Sequence, residues 1–240
     1  MAVRVMKMKE ELDLHGFAIV EDILTELEIS KLSQVIEESI QSQVSGKNGE
    51  LFAMRKFFQQ LPAALDILSS SQLPRLISEH FEGYFIVKSI YFDKPASSNW
   101  FVSYHQDLTI AVDRRSDIAG FDFWTSKGEH YAVRPPQAML EDNFTVRLHL
   151  DNTTSANGAL KVLPGSHLNG VLNSEDVLSF GDSEAVCEVR AGGAMFMKPL
   201  LMHSSGRTTN EERRRVIHIE FSRGSLPPPL NWTEKRSFAS

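Results

Sequence analysis

Apolar positions near the start of the chain recur at helical spacing. Leu27, Ile29, Leu32, Ile36 and Ile40 predict an amphipathic helix over about 26–43, with one side packed on the rest of the protein. Thr25, with Glu28 three residues on, forms the capping box expected to open it. The preceding GFAIVEDIL reads as a short strand, and VSGKNGE breaks the helix. Two shorter helical patterns follow, in LPAALDILSS and QLPRLISEHF.

From Tyr84 the period changes. YFIVKSIYF, WFVSYHQD, FTVRLHLD, ALKVL, AVCEVR, AMFMK and RVIHIEF are short, rich in aromatic and β-branched residues, and mostly bounded by Gly, Pro, Asn or Asp. So many strands without alternating helices predict an antiparallel sandwich or jelly roll. FTVRLHLD alternates: Val146, Leu148 and Leu150 share one face, while Thr145, Arg147, His149 and Asp151 share the other. Such a polar row either faces solvent, the commoner case, or lines a ligand-bearing interior. Between Leu108 and about Asn143 lies a long segment read as a loop, either a lid or an ordered insertion.

Composition narrows the class. The 240 residues are enough for a full core and favour one domain. A net charge of −6 argues against a general nucleic-acid binder, whose surface carries a basic excess; RRR at Arg213 to Arg215 is the only dense basic run. The single cysteine, Cys187, allows no internal disulfide and no thiolate zinc cluster. The N-terminal stretch lacks a signal-peptide core and no long uncharged apolar run suits a membrane span, so a cytoplasmic protein is expected.

The chemistry begins at SYHQDL. In an extended chain His105 and Asp107 point to one side and can converge on a single ion, although the pair alone is weak evidence. A third ligand is needed among His15, His80, His130, His149, His167, His203 and His218. His203 has the most suggestive surroundings. It closes the apolar segment GGAMFMKPLLMH, and Arg214 follows eleven positions later across the polar SSGRTTNEER, a spacing that predicts a hairpin bringing the two together. Two histidines and one carboxylate on one face of an ion leave three positions open, as in non-haem Fe(II) oxygenases. An oxo-acid cosubstrate chelates two of those positions, and an arginine fork suits its far carboxylate.

At this point the chain resembles the phytanoyl-CoA dioxygenase family of Fe(II)/2-oxoglutarate-dependent oxygenases. The resemblance rests on HGFAIVEDIL, on His105 to Asp107, on LDNTTSANGALKVLPGSHLNG from Leu150, and on His203 with Ser205 and Arg214 beyond it. It implies a mainly β, cupin-like double-stranded β-helix at about 84–222, with a helical part at about 1–82 packed outside, in one domain over 1–240. It also implies that His105, Asp107 and His203 bind iron and are the catalytic set. Arg214 would bind 2-oxoglutarate, assisted by Ser205, with Gln106 and Trp124 lining the cosubstrate pocket. Arg55 matches a position where relatives carry a basic residue reaching the active centre. Halogenating relatives replace the carboxylate with Gly or Ala; Asp107 keeps it, which favours hydroxylation.

The implied reaction uses O2, converts 2-oxoglutarate to succinate and carbon dioxide, and hydroxylates an unactivated C–H. Arg55, Lys88 and Arg147 would suit a substrate carboxylate, so a small acid or amino acid ranks first, ahead of an acyl-CoA. Desaturation or cyclisation would use the same residues. A non-catalytic cupin-like binding protein would be expected to have lost a ligand or the clamp, and a zinc or manganese isomerase would leave Arg214 without a task. The expected partner is a small molecule, with neither nucleic acid nor membrane involved.

Overall fold

The computed structural model describes residues 2–44, 53–94, 101–128, 130–181 and 183–238. It opens with α1 (Ala2–His15), β1 (Phe17–Val20), α2 (Glu26–Val44), β2 (Ala53–Arg55), α3 (Phe57–Gln60), α4 (Pro62–Ser69) and α5 (Leu73–His80). Then come β3 (Phe85–Lys94), β4 (Val102–His105), β5 (Ile110–Val112), β6 (Asp122–Lys127), β7 (His130–Arg134), α6 (Gln137–Asp142) and β8 (Phe144–His149). The chain finishes with β9 (Leu160–Val162), β10 (Ala185–Cys187), β11 (Ala194–Met197), β12 (His203–Ser205) and β13 (Arg214–Ser222).

The predicted capping box is made. Glu28 Oε2 accepts from the Thr25 N–H at 2.7 Å, and Thr25 Oγ1 accepts from the Glu28 N–H at 3.3 Å. Helices α4 and α5 both carry proline in their first turn, where its missing N–H costs nothing. Helix α2 buries Leu32 and Ile36 completely, but Leu27 is 63% exposed. The reason is rotational: nine residues separate Leu27 from Ile36, about two and a half turns, so the two lie on opposite sides. Helix α1 went unread because its pattern is sparse, with Met8 and Leu12 buried and Leu14 exposed. The expected VSGKNGE break falls mostly outside the described residues.

The strands form a mainly β jelly roll of antiparallel sheets that do not close into a barrel. The large sheet runs β1-β11-β8-β13-β3-β2, and the smaller one β10-β9-β12-β4. Alternation gives the large sheet two different faces. Val146, Leu148, Phe196, Ile217, Ile219 and Phe221 pack outward against Leu32, Ile36, Leu68, Leu73 and Ile77 of the helices. Phe144 is stacked between Phe81 at 4.0 Å and Phe221 at 4.9 Å. The other face looks inward, so the polar row of FTVRLHLD belongs to the interior and all six residues of β8 are buried.

Two expectations change. The segment 108–143 is no open loop: β5, β7 and β6 form a three-stranded sheet, and with α6 they bury Ile110, Val112, Val133 and Leu140 against Leu230 and Trp232. Nor do the strands at His203 and Arg214 pair as a hairpin. Strand β12 has both edges occupied, by β9 and β4, whereas β13 lies between β3 and β8. The connection therefore crosses from the small sheet to the large one.

Replacing Thr25 with Ala removes the two bonds of its hydroxyl, from the Glu28 N–H and to the Glu28 carboxylate, and leaves the bond donated by the Thr25 N–H. A loss of about 1 kcal/mol is expected, read as a lower urea midpoint with an unchanged slope.

Candidate metal centre and oxo-acid clamp

His105 ends β4 and His203 begins β12, and the antiparallel register sets them directly opposite each other, with ring centroids 4.2 Å apart. Asp107 follows two residues later. Its N–H donates to the Pro199 carbonyl at 2.9 Å, fixing the chain beyond β4 to the turn that leads into β12. Ligand atoms of all three residues lie within 4.8 Å of one another, with His203 Nε2 4.0 Å from Asp107 Oδ2.

Local hydrogen bonds aim the two rings. Nδ1 of His105 donates to the Ser103 carbonyl at 2.9 Å, and Nδ1 of His203 to the Leu201 carbonyl at 2.9 Å. Each proton is thereby held on Nδ1, leaving the Nε2 lone pair for an ion. Burial alone would raise the Asp107 carboxyl; His203, His218 and Lys88 outweigh it and bring the group down to about 2. A carboxylate and two imidazoles, mutually close, form a donor set that fits a divalent iron.

The same cavity, about 280 Å³, contains a cation with no matching acid. Arg214 is 6% exposed, donates through Nη1 to the Gly158 carbonyl, and has a buried Nε with no partner. Burial and the neighbouring Arg147 push its guanidinium down to about 9. An unmatched buried charge of this kind is costly unless a ligand completes it, and a carboxylate is the natural complement. Gly158 makes the contact possible: its φ is +85°, and a Cβ there would sit 2.9 Å from both the Gly206 carbonyl and Lys94 Nζ.

The other candidates divide. Ser205, Lys88 and Arg147 line this cavity with Arg214. Gln106 does not. Its amide donates to the Gly170 and Leu200 carbonyls at 2.8 and 2.6 Å and accepts from the Leu172 N–H at 2.8 Å, so it braces loops on the far side. Trp124 also lies away from the cavity, packed against the apolar cluster of the insertion. Arg55 lines a neighbouring cavity that shares Lys88 and Ile90 with this one.

Three ionisable cavity residues were given no role from the sequence: Lys94, Glu220 and His218, the last named there only among the remaining histidines. Arg147 donates to His218 Nδ1 at 3.2 Å, His218 Nε2 donates to Glu220 at 3.1 Å, and Lys88 donates to the same carboxylate oxygen at 2.6 Å. Alternation from Arg214 would have found two of them, since His218 and Glu220 share its face of β13.

A model of the phytanoyl-CoA dioxygenase (PhyH) family matches residues 12–216, most of the chain. The chain belongs to that family. As a phytanoyl-CoA dioxygenase family member it is an oxygenase of the non-haem iron, 2-oxoglutarate-dependent class. No curated protein matches the sequence. Among solved structures, EctD from S. alaskensis in its apo form has a TM-score of 0.69 at 15% identity over 98% of this chain and 84% of its own. SnoK, a non-haem α-ketoglutarate-dependent carbocyclase from nogalamycin biosynthesis, has a TM-score of 0.64 at 14% identity, covering 90% of this chain and 83% of its own. EvdMO1 reaches 0.68 at 17% over 91% of this chain, which spans half of EvdMO1's length. These likenesses establish the fold. Further EctD structures carry Fe in one case and 2-oxoglutarate with 5-hydroxyectoine in another. Among the described residues of this family member, no helix is long and apolar enough to cross a membrane.

Burial holds His149, His167, His203 and His218 below the usual histidine range. A histidine neutral in the fold takes up a proton on unfolding once pH drops below its unfolded value, near 6.5. The unfolded chain then binds more protons, and stability declines with falling pH. The metal-free protein should show a lower urea midpoint at about pH 5.5 than at about pH 7.5, and His149→Gln should flatten that fall. A midpoint that rises on acidification would contradict the assignment.

Proposed function

We propose that the protein hydroxylates an unactivated C–H bond of a small, carboxylate-bearing metabolite, consuming 2-oxoglutarate and O2 and releasing succinate and carbon dioxide. The observation that carries this reading is the buried, acid-free guanidinium of Arg214 in the same cavity as three converging metal-ligand side chains.

In this reading His105, Asp107 and His203 would hold a ferrous ion. The bound iron supplies the redox chemistry that couples decarboxylation of the oxo-acid to oxidation of the C–H. Arg214 forks onto the far carboxylate of 2-oxoglutarate, and the Ser205 hydroxyl, which now donates to Gly158 at 3.3 Å, is positioned to add a bond. Retention of Asp107 leaves no vacated ligand position for a halide and supports hydroxylation. Arg147 is the better anchor for a substrate carboxylate. It is 9% exposed with an unpartnered Nε, whereas the ammonium of Lys88 is neutralised by Glu220.

Anaerobic addition of Fe(II) and 2-oxoglutarate should produce the weak visible charge-transfer band of the chelate. Its absence from the folded protein would refute the reading. Arg214→Leu should raise the 2-oxoglutarate requirement roughly 100-fold, the loss of about two charge-assisted hydrogen bonds, with iron affinity nearly unchanged. Unaltered succinate formation in that variant would assign the clamp elsewhere. A metabolite screen scoring succinate release, followed by mass spectrometry for one added oxygen, should return acids rather than their amides.

A further inference from the structure

Lys88 and Ile90 form a shared wall. On one side they line the iron cavity, and on the other they line a second cavity, also of about 280 Å³. Its remaining walls come mainly from four other parts of the chain: the end of β2 with the residue after it, Thr109 and Ala111 at β5, the β6–β7 hairpin of the insertion, and the C-terminal segment at Thr233 and Glu234.

This second cavity is rich in uncommitted donors. Arg55, Lys56 and Lys127 all line it, and among the described residues none of the three has a carboxylate within the 4.0 Å of an ion pair. Its one acid is already engaged: Glu234 accepts from the Ser89 N–H at 2.6 Å and from the Ser89 hydroxyl at 2.8 Å. Lys88 is paired with Glu220 in the neighbouring cavity. The balance on this side is therefore cationic.

Two further features mark the walls of this cavity. The Thr233 hydroxyl is buried in the wall with no hydrogen-bond partner, which is unusual for a group that satisfies itself readily by rotation. Lys56 has a left-handed backbone at φ 52° and ψ 44°, a conformation that non-glycine residues keep where the surroundings impose it, frequently at binding sites.

We propose that the second cavity binds an anionic group, a carboxylate or a phosphate, at the far end of a substrate whose reacting C–H lies in the iron cavity. The anion site stands on its own lining; its assignment to the substrate rests on the oxygenase reading above. The substrate class is thereby narrowed to an elongated metabolite acidic at the end remote from the oxidised carbon. A small zwitterion with a single acid would leave this cavity empty.

The test uses the full metal-free chain labelled with nitrogen-15, titrated separately with inorganic phosphate and with butyrate. Amides of Thr125 to Lys127 and of Thr233 should shift saturably with at least one of the two, with affinity on the order of millimolar. Whichever anion binds tighter identifies the acid. The double variant Arg55→Met, Lys127→Met should weaken binding at least about tenfold, and the charge-preserving Arg55→Lys, Lys127→Arg should restore most of it. Both side chains are exposed and outside the iron cavity, so the Fe(II)–2-oxoglutarate band should survive the double variant. No saturable shift with either anion, or equal affinity in the double variant, overturns the site. A missing band in the parent protein with anion binding intact would instead overturn the oxygenase reading and leave the anion site standing.

Discussion

The antiparallel pairing of β12 with β4 is the contact on which everything else depends. It places His203 opposite His105, although the two are distant in sequence, and the Asp107 N–H bonded to Pro199 fixes the carboxylate beside them. A one-residue slip would turn every side chain of β12 to the other face and disperse the ligands. Neighbouring strands on both edges hold β12 in place, which makes such a slip costly. The same constraint explains the crossing to the large sheet. With no free edge beside β12, the chain must continue elsewhere, and it continues on the strand that carries Arg214.

The large sheet contributes a division of labour between its faces. Its outward side chains are aliphatic and aromatic and bury themselves under the N-terminal helices, which supplies the hydrophobic stabilisation of this half of the molecule. That packing permits an inner face carrying Lys88, Lys94, Arg147, Arg214, His218 and Glu220, groups that would otherwise oppose folding. Some are satisfied internally, as Lys88 is by Glu220. Others keep unpartnered atoms, and those atoms mark where a bound acid belongs.

Much of this was legible in the sequence because period is a local property. The capping box at Thr25, the strands after Tyr84 and the polar row of β8 all follow from spacing, and each forms. Non-local outcomes were not legible. Whether β12 and β13 pair with each other depends on which edges other strands have taken, and the pattern of SSGRTTNEER contains no such information. Gln106 shows the limit at one residue: it stands between two ligands in the chain, yet alternation turns it outward to bond Gly170, Leu200 and Leu172. Leu27 fits an apolar count but not an apolar face. The insertion looked like a loop because its strands are short and β6 is largely exposed.

Both imidazoles are oriented by a carbonyl two residues upstream in the chain, at Ser103 within β4 and at Leu201 in the turn before β12. The orienting group is main chain, and every amino acid supplies it. Ligand geometry here is therefore insulated from side-chain drift at those two positions: a hydroxyl occupies one and a branched hydrocarbon the other, with the same bond length. Evolution can alter the polarity around such a centre while the direction of its two nitrogen lone pairs stays fixed.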